Sequence, residues 1–518
     1  MTTPADAAQP TDASSLRASS LRASLLRASL LPDEDLVGQI LMPSAPMSAD
    51  PRSVAAIIDE FHLAGVALAG DVQDTRAGGG AAQVRSLTDA LQAAAPAPGG
   101  RRMPLLIATD QEYGWVTRIR DGVVQLPSAM AFGAAGRPEL TRAAWAAAGG
   151  DLAAVGINVN LAPCADVVTE PGNTIIGSRS FGSRPDAVAA QVAAAVAGLQ
   201  SAGVAATLKH FPGHGSTTVD SHRALPVLEQ SRQDLESSDL VPFRAGIGAG
   251  ARLVMSGHLD VRSIDPGVPA SFSRTLLVDV LRGGLGFGGV VVSDALDMAP
   301  ARQWSPGEAA VRAVLAGNDL LLMPASLALA RDALLGALRS GRLGRPRLVE
   351  SVARILALRL EAAGHARPDL VTVDSPHARD AASAVAAASI TVLSGPCAGP
   401  LVSWPVRVTA TASREAQAAA LAEELVAAGL PVAAAGGSRV HLVGFGDSAR
   451  DLVPGAAVTV SLDTPYLLAE ADSPVRVATY SSSRVAVRAL AAVIAGTAAA
   501  TGRSPVPVAG LPDSACAP

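Results

Sequence analysis

The chain has 518 residues, 49% of them hydrophobic and 17% charged, a balance that can bury a large core and excludes disorder over most of the length. Its formal net charge of −5 offers no basic footprint for nucleic acid. No unbroken apolar run reaches the roughly 18 residues that a membrane-spanning helix requires, and the length predicts two to four domains.

Residues 1–32 carry a repeating Ser-Leu-Arg-Ala-Ser pattern around Leu16, Leu21, Leu25 and Leu30. Arg17, Arg22 and Arg27 interrupt the apolar core that a signal peptide needs, so a frayed or weakly helical leader is expected. With no lipidation cysteine near the start, the cytoplasm is the expected compartment. From there to residue 364 one unit recurs: a short apolar run, a polar or glycine-containing loop, and an Ala/Leu-rich helical stretch. The runs are 37–42, 65–69, 105–108, 157–161, 205–208, 253–255, 290–292 and 320–323. Runs that are apolar on both faces and separated by helices indicate a parallel sheet. Eight of them in residues 33–364 predict an α/β architecture with an N-terminal (β/α)8 barrel.

Pro368 and Pro376 bracket a polar stretch, read as a linker over residues 365–385. Residues 386–518 hold strand-like runs at 406–409, 441–443 and 458–461, with Ala-rich helices near 412–428 and 484–499. That alternation predicts a smaller C-terminal α/β sandwich domain. It has no Gly-x-Gly-x-x-Gly after a strand, so no dinucleotide is expected, and His441 reads as a residue packed beside its strand. Cys164, Cys397 and Cys516 are read as too few and too far apart for a disulfide framework or a zinc site.

In such a barrel the chemistry sits at the carboxyl ends of the strands. Polar residues gather there: Asp71 after the second run, Asp110 and Glu112 after the third, Lys209 and His210 after the fifth, His258 and Asp260 after the sixth, Asp294 after the seventh. Helix capping accounts for Asp71 and Asp260. It does not account for Lys209, the single lysine among 41 basic residues. A chain that uses arginine everywhere else keeps lysine where a compact ammonium cannot be exchanged for a planar guanidinium.

Lys209 opens the segment KHFPGHGSTTVDSH, residues 209–222, which holds three of the 8 histidines. A helical zinc site needs histidines one turn apart on one face, and Pro212 and Gly213 break any helix between His210 and His214; no metal is expected. Asp220 and His222 are two residues apart, so in an extended loop the carboxylate accepts from the ring, fixes its tautomer and raises its basicity. This makes His222 a candidate general acid/base near neutral pH. Asp294, directly after Val-Val-Val-Ser, is held rigidly enough to be the nucleophile of a covalent mechanism.

The 209–222 segment closely resembles the signature of glycoside hydrolase family 3 β-N-acetylglucosaminidases, in which a histidine replaces the usual carboxylic acid. ATDQEYGWVTR at 108–118, GINVNLAPCADV at 156–167, GSRSFG at 177–182 and SDALDM at 293–298 resemble further motifs of that family, in the same order. DTPYLL at 463–468, ATYS at 478–481 and GRSPVPV at 502–508 resemble its second domain. The resemblance implies Asp294 as nucleophile, His222 as acid/base and Asp220 as its orienting partner. It implies that Asp110, Arg118, Arg179, Lys209 and His210 hold the sugar, and that the substrate is a small molecule or oligosaccharide ending in β-linked N-acetylglucosamine. No cofactor is expected. Tyr113 and Trp115 stand where a glycine and an arginine are frequent, which predicts an aromatic wall near the sugar, and Ala295 stands where many relatives carry a second Asp. The competing readings are a phosphorylase or a β-glucosidase on the same scaffold, and a catalytically silent sugar-binding module.

Overall fold

The computed structural model describes residues 12–70, 80–95 and 103–516, with side chains from residue 19 onward; the sequence-predicted cap at Asp71 lies outside the described residues. The barrel begins with Leu41–Met42 and Ser44–Pro46, two pieces of one strand, β1. It continues with Gly65–Ala69 (β2), Leu106–Thr109 (β3), Val159–Asn160 (β4), Ala205–Phe211 (β5), Leu253–Ser256 (β6), Val290–Ser293 (β7) and Leu321–Leu322 (β8). Neighbours from β1 to β7 pair in parallel, and β8 pairs in parallel with the first piece of β1. A parallel bridge between Val292 and Leu320 joins β7 to β8, so the eight positions form a closed ring. The expected run at 37–42 is divided differently: the helix Asp33–Gln39 takes its first half. Pro32 at its entry and Asp33, Glu34 and Asp35 in its first turn are helix-start signals that outweigh the apolar run behind them.

Of the two readings of the leader, frayed or weakly helical, the structure has the helical one, over residues Asp12–Ser29. Leu21, Leu25, Ala28 and Leu31 recur at helical spacing and pack into the barrel core, against the helix Arg345–Ala363.

After the barrel, the helix Pro376–Ser389 occupies part of the polar stretch and packs on the barrel helices Ala129–Ala135 and Pro138–Ala154. A five-stranded sheet follows: Thr391–Ser394 (β9), Val406–Ala410 (β10), Ser438–Val443 (β11), Val458–Ser461 (β12) and Val475–Ala478 (β13). Its order is β9-β13-β12-β11-β10, with β9 antiparallel and the rest parallel. His441 is buried between the Thr409 hydroxyl and the Asp451 carbonyl, at 3.0 and 2.9 Å. Met130, Ala131 and Val168 of the barrel side share a buried cluster with Leu393, Leu468, Tyr480 and Val506.

Cys397 and Cys516 form a disulfide, with their Cα atoms 5.1 Å apart, which corrects the reading of the cysteines as too far apart for disulfide bonding. Their 119-residue separation is no obstacle, because the C-terminal tail returns beside β9, where Ala515 N donates to Val392 O at 2.8 Å. Cys164 stays free and buried. No described helix is long and apolar enough to cross a membrane.

Candidate active site

A cavity of about 730 Å³ opens at the carboxyl ends of the strands, and Asp110, Arg118, Arg179, Lys209, His210, His222 and Asp294 line it. Asp220 does not line it but reaches it through His222. β5 carries two of these groups on consecutive residues, although strand neighbours ordinarily face opposite ways. The β5–β6 register shifts between Leu208 and Phe211, which is where Lys209 and His210 both come to face the cavity.

Lys209 is buried between two carboxylates: Nζ lies 2.7 Å from Asp110 Oδ1 and 2.6 Å from Glu112 Oε1. Burial alone would lower the lysine pKa, but Asp110 and Glu112 outweigh it and the net shift is upward, so the group stays an ammonium. Arg179 grips Glu112 in a bidentate pair, Nε to Oε2 at 2.7 Å and Nη2 to Oε1 at 2.9 Å. For Glu112, burial pushes the carboxyl up, and Arg179 and Lys209 together hold it well below the usual carboxylate range. Arg118 lies 4.0 Å from Asp110, and its buried Nε has no hydrogen-bond partner among the described residues.

His210 is oriented by Asp166, which accepts from its Nδ1 at 2.8 Å and its backbone N at 3.0 Å. The same carboxylate accepts from His214 N at 2.7 Å and Cys164 Sγ at 2.9 Å. Cys164, Asp166 and His210 form the one described group with three metal-ligand atoms in reach of each other, and these contacts already engage Asp166. Burial, with help from His210, pushes His214 down to about 4; it is a neutral ring, Nε2 being 3.0 Å from the Ser221 hydroxyl.

Asp220 accepts from both His222 Nδ1, at 2.8 Å, and His222 N, at 2.9 Å, so the expected pair exists. The opposite ring nitrogen of His222 is left for the cavity. The Asp220 carboxyl is raised by burial and lowered more by these His222 contacts, which keeps it ionised as the ring's partner. Asp294 is half-buried beyond the end of β7; its N donates to Ser256 O and its Oδ1 accepts from Ala295 N at 2.8 Å. Burial raises the Asp294 pKa, but His210, His258, the Ala295 N–H and His222 bring it below the ordinary value. The group is a carboxylate at neutral pH. His258 is fixed behind it, Nε2 to Ala295 O at 3.0 Å and Nδ1 to Ser271 Oγ at 2.5 Å.

Reading the sequence places Glu112 at a strand end without giving it a role, and does not single out Asp166. Both lie inside quoted motifs, and their partners, Arg179 and His210, are 67 and 44 residues away. The expected aromatic wall is absent from the cavity lining. Tyr113 is buried with its ring 5.8 Å from Trp145, because φ of +68° at Tyr113 and +67° at Gly114 turns the chain there. Trp115 points to the second sheet and packs on Phe445 at 4.4 Å, remaining 48% exposed.

A closed parallel barrel with a half-buried carboxylate and an Asp–His pair opening on one cavity is an arrangement that fits a barrel glycoside hydrolase. The chain belongs to glycosyl hydrolase family 3: residues 33–358 match the model of the glycosyl hydrolase family 3 N terminal domain. A relative from Pseudoalteromonas piscicida named beta-hexosaminidase A is 36% identical over 61% of this chain and 56% of its own length. A beta-hexosaminidase from Alkalilimnicola ehrlichii is 42% identical over 46% of this chain and 69% of its own. The chain thus spans little more than half of the first relative. The solved structure of a family 3 beta-N-acetylglucosaminidase from Paenibacillus sp. matches with a TM-score of 0.82 at 32% identity, covering 92% of this chain and 98% of that one.

Proposed function

We propose that the protein is a retaining exo-glycosidase that releases terminal β-linked N-acetylglucosamine. The observation that carries this reading is that Asp294 and the Asp220-oriented His222 face one cavity. Asp294, ionised and held by the Ala295 N–H, attacks the anomeric carbon as the bond to the leaving oxygen breaks. His222, protonated and paired to Asp220 through Nδ1, gives its other ring proton to that oxygen. The covalent glycosyl-aspartate is then opened by water that His222, now neutral, deprotonates, and Asp294 leaves as a carboxylate. Asp110 accepts from sugar hydroxyls, while Lys209, His210, Arg179 and the unpartnered Nε of Arg118 supply donors. The acetamido preference is supported by the names of the relatives and by the solved neighbour.

Turnover of p-nitrophenyl β-N-acetylglucosaminide and the matching β-glucoside, each with and without inorganic phosphate, tests the proposal. The acetamido sugar is expected to dominate. His222→Ala is expected to lose on the order of a hundredfold or more in kcat, and Asp294→Asn to accumulate no glycosyl-enzyme. Sugar 1-phosphate formation would make phosphate the acceptor, and equal turnover of the glucoside would overturn the acetamido assignment.

A further inference from the structure

A second cavity of about 730 Å³ lies at the opposite end of the barrel, against the amino ends of β6 and β7. Its walls come from Ser20 and Leu21 of the leader helix, the segments around residues 247–252 and 286–290, and the helix Arg345–Ala363. Most of that lining is Gly, Ala, Leu, Ile, Val and Phe. It has the size of a small-molecule site, which runs about 300–1,000 Å³, and it shares no lining residue with the catalytic cavity.

Among the described residues, its charge is not balanced. Arg252 and Glu361 neutralise each other through paired hydrogen bonds of 2.8 Å. Arg354, the third charged residue among the described residues of the wall, is one of three arginines that share the single buried carboxylate of Asp319, with Arg282 and Arg347. Asp319 is saturated, since it also accepts from Val291 N and Ser351 Oγ. Arg282 also gives Nη1 to Phe287 O and Gly289 O, and Arg347 gives Nη2 to Asn318 O and Nη1 to Ser351 Oγ. Arg354 gives only Nη1 to Asp319, at 3.1 Å, and makes no other protein hydrogen bond among the described residues. A guanidinium has five donors in a planar fork, so most of Arg354's fork is left for whatever enters the cavity.

A surplus cation at the edge of an apolar chamber selects an anionic head joined to an apolar chain. We propose that this cavity binds an amphiphilic monoanion of the fatty-carboxylate class, with its carboxylate on Arg354 and its chain along Leu21, Ala357, Leu358 and Phe287. A neutral chain fills the same walls but leaves Arg354 unsatisfied; a short carboxylate reaches the arginine but buries nothing.

Titration calorimetry with decanoate, decanol and acetate tests the assignment on the full chain. Wild-type protein is expected to bind decanoate at one site, decanol about tenfold more weakly, the loss expected for one charge-assisted bond, and acetate not at all. Arg354→Gln is expected to bring decanoate down to the affinity of decanol. Ala357→Phe, which fills the chamber and leaves the Asp319 cluster intact, is expected to abolish binding of both. Circular dichroism and thermal unfolding check that each variant is folded. Absence of decanoate binding to the wild type, or undiminished binding by either folded variant, would overturn the proposal.

Discussion

Glu112→Gln tests whether the cation cluster is organised as the geometry implies. Glu112 is 4% exposed and accepts three charge-assisted hydrogen bonds, two from Arg179 and one from Lys209, at 2.7, 2.9 and 2.6 Å. An amide has one acceptor oxygen and presents two N–H donors toward the cations, so Lys209 would keep only Asp110 and Arg179 would lose its paired carboxylate, with Asp166 the remaining one acting on it. Breaking a buried pair while leaving its partner charged costs about 3–5 kcal/mol, and this is the expected loss at neutral pH. The folded pKa of Glu112 is depressed. Its stabilisation is therefore complete above the ordinary glutamate pKa of about 4.3 and is lost as pH falls through the lower folded value. The gap between wild type and variant should hold from pH 8 to about 5 and narrow only below about 4. Urea unfolding across that range measures it. Displacing Arg179 and Lys209 should also lower kcat/KM on the order of a hundredfold. A gap below about 1 kcal/mol at neutral pH, the size of a surface pair, or one that widens on acidification, would refute the reasoning.

Three further outcomes follow from the same network and its surroundings. Lys209→Arg should weaken substrate binding although it keeps the charge, because a planar fork cannot sit at both 2.7 and 2.6 Å from two separate carboxylates; KM at constant fold, read by circular dichroism, checks this. Asp239, beneath the loop that carries Gly213 and Ser216, is pushed up to about 6 by burial, so wild-type stability falls as pH rises from about 4 to about 6. Asp239→Asn, whose amide can still pair with Gln230 and Ser216, should be more stable at neutral pH by up to about 3 kcal/mol, a gain that thermal unfolding should show vanishing toward pH 4. Reducing the Cys397–Cys516 bond should cost about 2–4 kcal/mol, seen as a lower Tm with reductant; an unchanged Tm and a mass with two free thiols in unreduced protein would contradict the pairing.

Much of the fold was legible because the barrel strands are buried on both faces, and their apolar runs separate cleanly from the helices between them. Asp294 and the 209–222 loop were legible for a related reason: polar residues placed straight after such runs have little else to do. The role of Glu112, and Asp166 altogether, were not, since each acts through a partner that only strand neighbourhood brings close. β3 lies beside β4, and β4 beside β5, which is how Glu112 reaches Lys209 and Asp166 reaches His210. The aromatic residues failed for a local reason. Nothing in the letters YGW shows that two consecutive positive φ angles bury the tyrosine and turn the tryptophan outward. The disulfide failed because loop closure over 119 residues depends on where the tail ends in space.

Among the described residues, none beyond the barrel lines the cavity, yet the contacts of this part of the chain fall on the segment that carries Arg179. Pro505 O accepts from Ser183 N at 3.0 Å and Ser183 Oγ at 3.2 Å, across 322 residues. Gly182 has φ of +145°, and a Cβ there would lie 2.7 Å from that same carbonyl, so only glycine lets the tail come this close. Thr464 approaches Gly177 at the other end of the segment, 3.4 Å from where a Cβ would be. Arg503 N donates to Ala134 O, and Asp513 holds Arg503 and Ser504 in place, with the disulfide just beyond. The second sheet and its tail therefore clamp the 177–183 segment from both ends. Because Arg179 fixes Glu112 and Glu112 fixes Lys209, the rigidity of that clamp passes directly to the groups proposed to hold the sugar.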